Sequence, residues 1–385
     1  MSMLISGARK LDANGEQDDF WMLVDGDSIT ATGQGEAPDA ATRVDATGKW
    51  LVPGFIDLHG HGGGGHVFDD GPDEIEAALA THRAHGTTRS VISLVANPVS
   101  ALTSSLATIA EIAERDPLVL GAHLEGPFLT PARRGAHNVN FLLQPSMEVA
   151  RELLDAGNGI LRQVTIAPEL PGALEVIDLL VEHGVTVAVG HTEATAEQAA
   201  AAFDRGARLL THAFNAMPGI HHRAPGPVVA ALADERVTVE LILDGLHVHP
   251  DVASLVFTKA LNRVALVTDA MAAAGAADGH YRLGSLNVTV RNGLAVLSGT
   301  DTLAGSTLTQ DAALRNAITL VGLDARAAVE AVTLTPARAL GLEHRHGLLA
   351  EGFAADAVLL DSDWQVSSVF ADGRRIGAHE TQPAA

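Results

Sequence analysis

Six short motifs in this chain carry groups able to hold a cation or move a proton. They are Asp57-Leu-His59-Gly-His61, His123-Leu-Glu125-Gly-Pro127, Gly190-His191-Thr192, Thr211-His212-Ala-Phe-Asn215, Asp244-Gly-Leu-His247 and Thr268-Asp269-Ala270. Imidazole and carboxylate together suit zinc or iron better than calcium or magnesium, which prefer all-oxygen shells. Residues two apart on an extended strand face the same side, so His59 and His61 project together. One isolated histidine is most simply a hydrogen-bonded core or surface side chain. Repetition of the pattern at the ends of several apolar runs excludes that account for the set. The chain has no cysteine, which rules out thiolate metal sites, disulfides and a thiol nucleophile. The glycine run Gly62–Gly65 lacks the lysine of a phosphate-cradling P-loop. It is expected to give close backbone packing beside His61.

The motifs end short apolar runs: Leu51–His61, Thr88–Val95, Val119–Phe128, Gln163–Pro168, Thr186–Thr192, Arg208–Asn215, Val237–His247 and Val264–Ala270. Between them lie amphipathic helix candidates: Pro72–His85, Ala101–Arg115, Ser146–Ala156, Gly172–His183, Ala196–Arg205, Pro225–Asp234 and Asp251–Leu261. Alternation of strand and helix implies a parallel sheet, and eight repeats imply closure. The predicted fold is α/β: a (β/α)8 TIM barrel with a small β-sandwich domain formed from both chain termini. The small domain is expected to comprise 1–52 and 346–385, and the catalytic barrel 53–345. A hairpin-like insertion, Tyr281–Ser298, interrupts the pattern before helices at Ser306–Leu320 and Asp324–Thr333. Catalytic groups of such barrels sit at the C-terminal strand ends, where these motifs lie.

Composition narrows the function. The 385 residues carry 47 acidic and 25 basic side chains, a net charge of −22. A nucleic-acid binder needs a basic face and a polybasic membrane anchor needs clustered lysines, so neither class fits. An anionic substrate would require locally concentrated positive groups. With 47% hydrophobic residues the chain can build a large core, and aromatics at 4% leave that core to aliphatic side chains. No secretory signal or run of about 20 apolar residues is read, which makes a cytoplasmic location the expectation.

Val52-Pro-Gly-Phe-Ile-Asp-Leu-His-Gly-His61 resembles the opening of the amidohydrolase superfamily, and Gly347–Asp361 its closing β segment. Thr335–Gly341 is similar to the helix that precedes that segment. Within the superfamily, His123–Phe128, Arg134–Asn138, Gly190–Thr192, Thr211–Met217, Leu243–His247 and Val267–Met271 resemble the N-acetylglucosamine-6-phosphate deacetylases. The resemblance runs nearly end to end. It implies an enzyme that removes the N-acetyl group from N-acetylglucosamine 6-phosphate, giving glucosamine 6-phosphate and acetate. It assigns a divalent metal, zinc or iron, to Glu125, His191 and His212, and makes Asp269 the base that accepts a proton from a metal-activated water and returns it to the leaving amine. His59 and His61 are retained, so one or two ions per subunit remain open, with Glu125 as bridge. Many relatives bridge two metals with a carboxylated lysine on barrel strand four. The only lysines here are Lys10, Lys49 and Lys259, none near that strand, so a carboxylate must serve. The resemblance further assigns substrate contacts to Ala136, His137, Asn215, Ala216, Arg223, His247, Leu303, Ala304 and Gly305, with Arg223 and His247 toward the phosphate. It implies a homodimer, while the acidic composition leads to the expectation of no nucleic-acid or membrane partner. The alternative is another amidohydrolase, a deacylase or cyclic amidase acting on an N-acyl substrate without phosphate.

Overall fold

A computed structural model describes residues 2–376. Eight strands form one parallel sheet in sequential order: Phe55–Asp57, Thr87–Val95, Val119–Glu125, Leu161–Ile166, Thr186–Val189, Leu209–Leu210, Thr238–Ile242 and Val264–Val267. All nine residues of the second strand are buried. That is why it shows no strict alternation of apolar and polar residues, since helices cover the outer face of such sheets. Helices Pro72–Ala84, Val99–Arg115, Met147–Gly157, Ala173–Glu182, Ala196–Asp204, Gly226–Ala233 and Pro250–Lys259 fill the intervals. The second buries Leu102, Leu106, Ile109 and Ile112, a three-and-four spacing that lays one apolar stripe against the sheet.

The eighth strand meets the first through polar bonds just beyond the strand ends. The Asp269 N–H donates to His59 O at 2.7 Å, and the His61 N–H to Ala270 O at 2.7 Å. The Thr268 hydroxyl donates to Asp57 Oδ2 at 2.6 Å. The closing seam therefore runs through the motifs themselves, which fixes His59, His61 and Asp269 relative to one another.

The terminal strands assemble into a separate eight-stranded sheet: Met3–Asp12, Gly15–Asp25, Ser28–Gln34, Thr42–Asp45, Trp50–Pro53, Ala357–Leu360, Val366–Ala371 and Arg374–Ile376. Trp50–Pro53 pairs antiparallel with Ala357–Leu360, joining the two ends of the chain. Both ends contribute to one apolar core that includes Ile5, Phe20, Met22, Leu51, Leu359 and Phe370. Arg89, on the second barrel strand, donates twice to Asp356, at 2.7 and 3.0 Å, and once to Asp372 at 2.5 Å. This buried fork locks the sheet against the barrel. Of the expected small domain, Met1 and residues 377–385 lie outside the described residues.

The insertion is a three-stranded antiparallel meander, Gly279–Leu283, Leu286–Arg291 and Leu294–Leu297, one strand more than a simple hairpin. Its Leu283, Val288 and Val290 pack with Val95 and Met271 into a satellite core beside the barrel mouth. Among the described residues, no helix is long and apolar enough to cross a membrane.

Candidate active site

The ends of barrel strands one, three, five, six and eight deliver their side chains to one point. Glu125 lies at its centre, 4% exposed. Its Oε1 is 2.9 Å from His191 Nε2, 3.1 Å from His212 Nε2 and 3.4 Å from His59 Nε2. Its Oε2 is 3.2 Å from Nε2 of both His61 and His137. Asp269 Oδ1 stands 3.3 Å from His61 Nε2 and 3.6 Å from His59 Nε2. Two triads have ligand atoms within 4.8 Å of one another: Glu125, His191 and His212, and His59, His61 and Asp269.

The backbone aims these groups. His191, His212 and Asp269 follow their strands in the left-handed region, with φ of 45°, 25° and 47°. Such conformations cost of order 1–3 kcal/mol each and persist where the surroundings impose them. Gly305, at φ 62°, abuts this turn: a Cβ there would lie 2.8 Å from Asp269 O. The glycine run behaves similarly. A Cβ on Gly62 would stand 2.3 Å from His66 O, while Gly64 N–H donates to Ala274 O at 2.7 Å.

The donor set fits a metal ion. The Nε2 atoms of His191 and His212 are 3.0 Å apart, and those of His59 and His61 3.2 Å apart. His191 Nδ1 faces the carbonyl of Arg133 at 2.9 Å, so it carries the ring hydrogen and Nε2 turns a lone pair inward. Converging lone pairs repel unless a cation lies among them, and ligand-to-ligand edges near 3 Å are those of an ion held at about 2.0–2.2 Å.

The electrostatics favour positive charge here. Burial opposes ionisation of His59 and His61, but Glu125 and Asp269 override it, holding His59 well above the usual imidazole range and His61 up at about 9. Burial likewise opposes the charge on Asp269, yet His59 and His61 bring its carboxyl down to about 2. The same attraction that binds protons on these rings would bind a metal in their place. His137 behaves otherwise. Burial outweighs Glu125 and keeps it neutral, and the Ala96 N–H donates to its Nδ1 at 3.2 Å, which places the ring hydrogen on Nε2.

A cleft of about 360 Å³ opens beside Glu125 and Asp269, a size suited to a small metabolite. Of the substrate residues expected from sequence, Ala136, His137, Asn215, Ala216, His247, Leu303 and Gly305 line it. Ala304 is fully buried behind the lining. Arg223 does not line it; it is exposed in the loop before helix Gly226–Ala233. His247, which lines the cleft, pairs through Nδ1 with Asp244 at 2.6 Å; burial opposes its charge, but the pair raises its pKa above the usual imidazole value.

Three features were not anticipated from the sequence. Arg133 lines the cleft. Ser93 and Thr165 hold His123 beneath the site, at 2.9 and 2.8 Å. Glu240 is a wholly buried carboxylate next to His59. The signal for the last was an acidic residue inside the apolar run Val237–Leu243.

The Amidohydrolase family model matches residues 50–376. Among curated proteins, the N-acetylgalactosamine-6-phosphate deacetylase of Escherichia coli O157:H7 is 39% identical, covering 97% of this chain and 99% of the relative. The N-acetylglucosamine-6-phosphate deacetylase of Vibrio furnissii is 35% identical, covering 86% and 84%. Among solved structures, a mutant N-acetyl-D-glucosamine-6-phosphate deacetylase of Mycobacterium smegmatis in complex with N-acetyl-D-glucosamine-6-phosphate is 44% identical. It matches with a TM-score of 0.93 over 97% of this chain and 99% of its own. The Pasteurella multocida enzyme matches with a TM-score of 0.93 at 29% identity. The chain belongs to the amidohydrolase family, a family of metal-dependent hydrolases. Within it, the chain groups with the amino-sugar-6-phosphate deacetylases.

Proposed function

We propose that this protein hydrolyses the acetamide of N-acetylglucosamine 6-phosphate, releasing acetate and glucosamine 6-phosphate. The observation that carries the reading is the convergence of Glu125, His59, His61, His191, His212 and Asp269 at the wall of a metabolite-sized cleft. In this reading Glu125, His191 and His212 hold one divalent ion, zinc or iron, and His59, His61 and Asp269 hold a second with Glu125 between. Such an ion supplies Lewis acidity and lowers the pKa of a coordinated water toward neutrality. Asp269, ionised at neutral pH, accepts the proton released as water oxygen attacks the carbonyl carbon. The proton then passes from Asp269 to the nitrogen as the C–N bond breaks, so the amine leaves neutral. His137, with its hydrogen on Nε2, donates to the carbonyl oxygen as negative charge develops there.

The phosphate falls to His247 and Arg223. Arg223 would then act from a second copy of the chain, since within one chain it is exposed and outside the lining; the protein is accordingly read as a homodimer. Residues 53–345 are read as the catalytic domain, residues 1–52 with 346–385 as the small domain, and the protein as cytoplasmic.

The test is acetate release by metal-quantified protein from N-acetylglucosamine 6-phosphate, its galacto epimer and unphosphorylated N-acetylglucosamine. The phosphorylated gluco sugar is expected to turn over fastest. No acetate from any of the three refutes deacetylation. Equal turnover of the unphosphorylated sugar refutes the phosphate site and returns the reading to a deacylase of non-phosphorylated amides.

A further inference from the structure

Glu240 takes no part in the chemistry above, yet it is fully buried on barrel strand Thr238–Ile242. Its Oε2 faces His59 Nδ1 at 3.4 Å and receives the backbone N–H of His212 at 3.4 Å. Its Oε1 accepts from Gln163 Nε2 at 2.8 Å. Among the described residues, His59 is the only basic side chain within ion-pairing distance of it. A carboxylate removed from water without arginine or lysine is costly, and such groups persist where they orient something.

We infer that Glu240 is a positioning residue: it fixes the tautomer and ring orientation of His59 and so governs whether the His59–His61–Asp269 group takes a cation. This rests on the reading of those three side chains as metal ligands. Both oxygens of Glu240 accept, Oε1 from Gln163 and Oε2 from the His212 N–H, so the His59 nitrogen facing Oε2 carries the hydrogen. That leaves Nε2 as the lone pair, and Nε2 is the atom facing His61, Glu125 and Asp269. Gln163 braces the other carboxylate oxygen and stops the group from turning away. Glu240 touches the other triad only through the His212 main chain, so the His191 and His212 rings keep their orientation without it. The effect is therefore selective for one of two ions.

The test counts ions per chain after metal saturation and dialysis against chelators of graded strength, with folding followed by thermal unfolding. The wild type is expected to hold two ions. Glu240→Leu is expected to keep the Glu125–His191–His212 ion and to bind the other about 10–100-fold more weakly, the usual scale for losing an outer partner of a ligand. Glu240→Gln is expected to rescue it. Its amide oxygen still accepts from His59 Nδ1, and its NH₂ can donate to Gln163 Oε1, which otherwise has no partner. Gln163→Leu, which leaves the carboxylate unbraced, is expected to weaken the same ion by a smaller factor. In cobalt-loaded protein the visible absorption of the second ion should change in step. Retention of both ions at wild-type affinity in Glu240→Leu overturns the assignment while leaving the metal reading intact. Failure of Glu240→Gln to rescue also overturns it, as does unchanged affinity in Gln163→Leu should Glu240→Leu not fold. A wild type that binds no ion removes the metal reading and this inference together.

Discussion

Replacing Asp269 with asparagine tests its proton-transfer role. The backbone there is pinned on both sides: the N–H donates to His59 O and the carbonyl accepts from Ser306 N–H, each at 2.7 Å. Its φ of 47° is tolerated by asparagine but strained for alanine, so Asp269→Asn keeps the turn while removing the charge, the ability to take a proton and one carboxylate from the His59–His61–Asp269 group. With Asp269 at about 2, the wild-type carboxylate is ionised throughout the neutral range; the amide cannot accept the proton at all. General acid–base catalysis is worth about 10²–10⁴-fold, which at 1.36 kcal/mol per decade is about 3–5 kcal/mol of barrier. We expect kcat for acetate release from N-acetylglucosamine 6-phosphate to fall by about a thousandfold. The ion held by Glu125, His191 and His212 should remain, because Asp269 is not in that triad. The assay pairs single-turnover acetate release with metal counting on the same preparation. A kcat within about tenfold of wild type with the Glu125–His191–His212 ion bound would refute the base assignment, since that lies below the range for any proton shuttle.

Three further outcomes follow from other residues. Burial opposes the charge on Asp311, but His85, Thr309 and Arg315 outweigh it and bring its carboxyl from 3.8 down to about 2. A depressed folded pKa gives stability that is present above 3.8 and lost as pH falls through about 2; Asp311→Asn should cost up to about 2 kcal/mol at pH 7, and denaturant unfolding of mutant and wild type should converge between about pH 4 and pH 2. Arg223→Ala should raise KM for the phosphorylated sugar about 10–100-fold, the scale of a lost charged hydrogen bond, without altering turnover of the unphosphorylated sugar; an unchanged KM removes Arg223 from the phosphate site. Stripping the protein of metal should abolish acetate release and re-addition of zinc or iron should restore it, whereas full activity in ion-free protein would eliminate cation-assisted hydrolysis.

The fold and much of the site were legible because both depend on local pattern. Apolar runs punctuated by Gly-His-Thr or Thr-Asp-Ala mark strand ends, and each barrel strand appears where such a run lies. Long-range chemistry was less visible. Glu240 reads as one acidic residue in a strand, and only closure of the barrel shows that it faces inward toward His59. Arg133 reads as a loop charge until the loop folds beside His191 and its carbonyl sets that ring's tautomer. The first strand, Met3–Asp12, runs well past its opening apolar residues, because Arg9 and Lys10 interrupt the apolar pattern on its more exposed side. Arg223 marks the opposite limit. The family resemblance singled it out, but a single chain leaves it outside the cleft.

The pairing of Trp50–Pro53 with Ala357–Leu360 bears on how the molecule is born. At about 5–20 residues per second, a ribosome needs roughly 15–60 s to travel between those two segments. Throughout that interval the earlier strand has emerged with one hydrogen-bonding edge bare, a template for pairing with neighbouring nascent chains. Bringing such distant segments together adds little entropy cost beyond that of a shorter loop, because the penalty grows only logarithmically. The hazard is one of timing, and truncation before Ala357 would make it permanent.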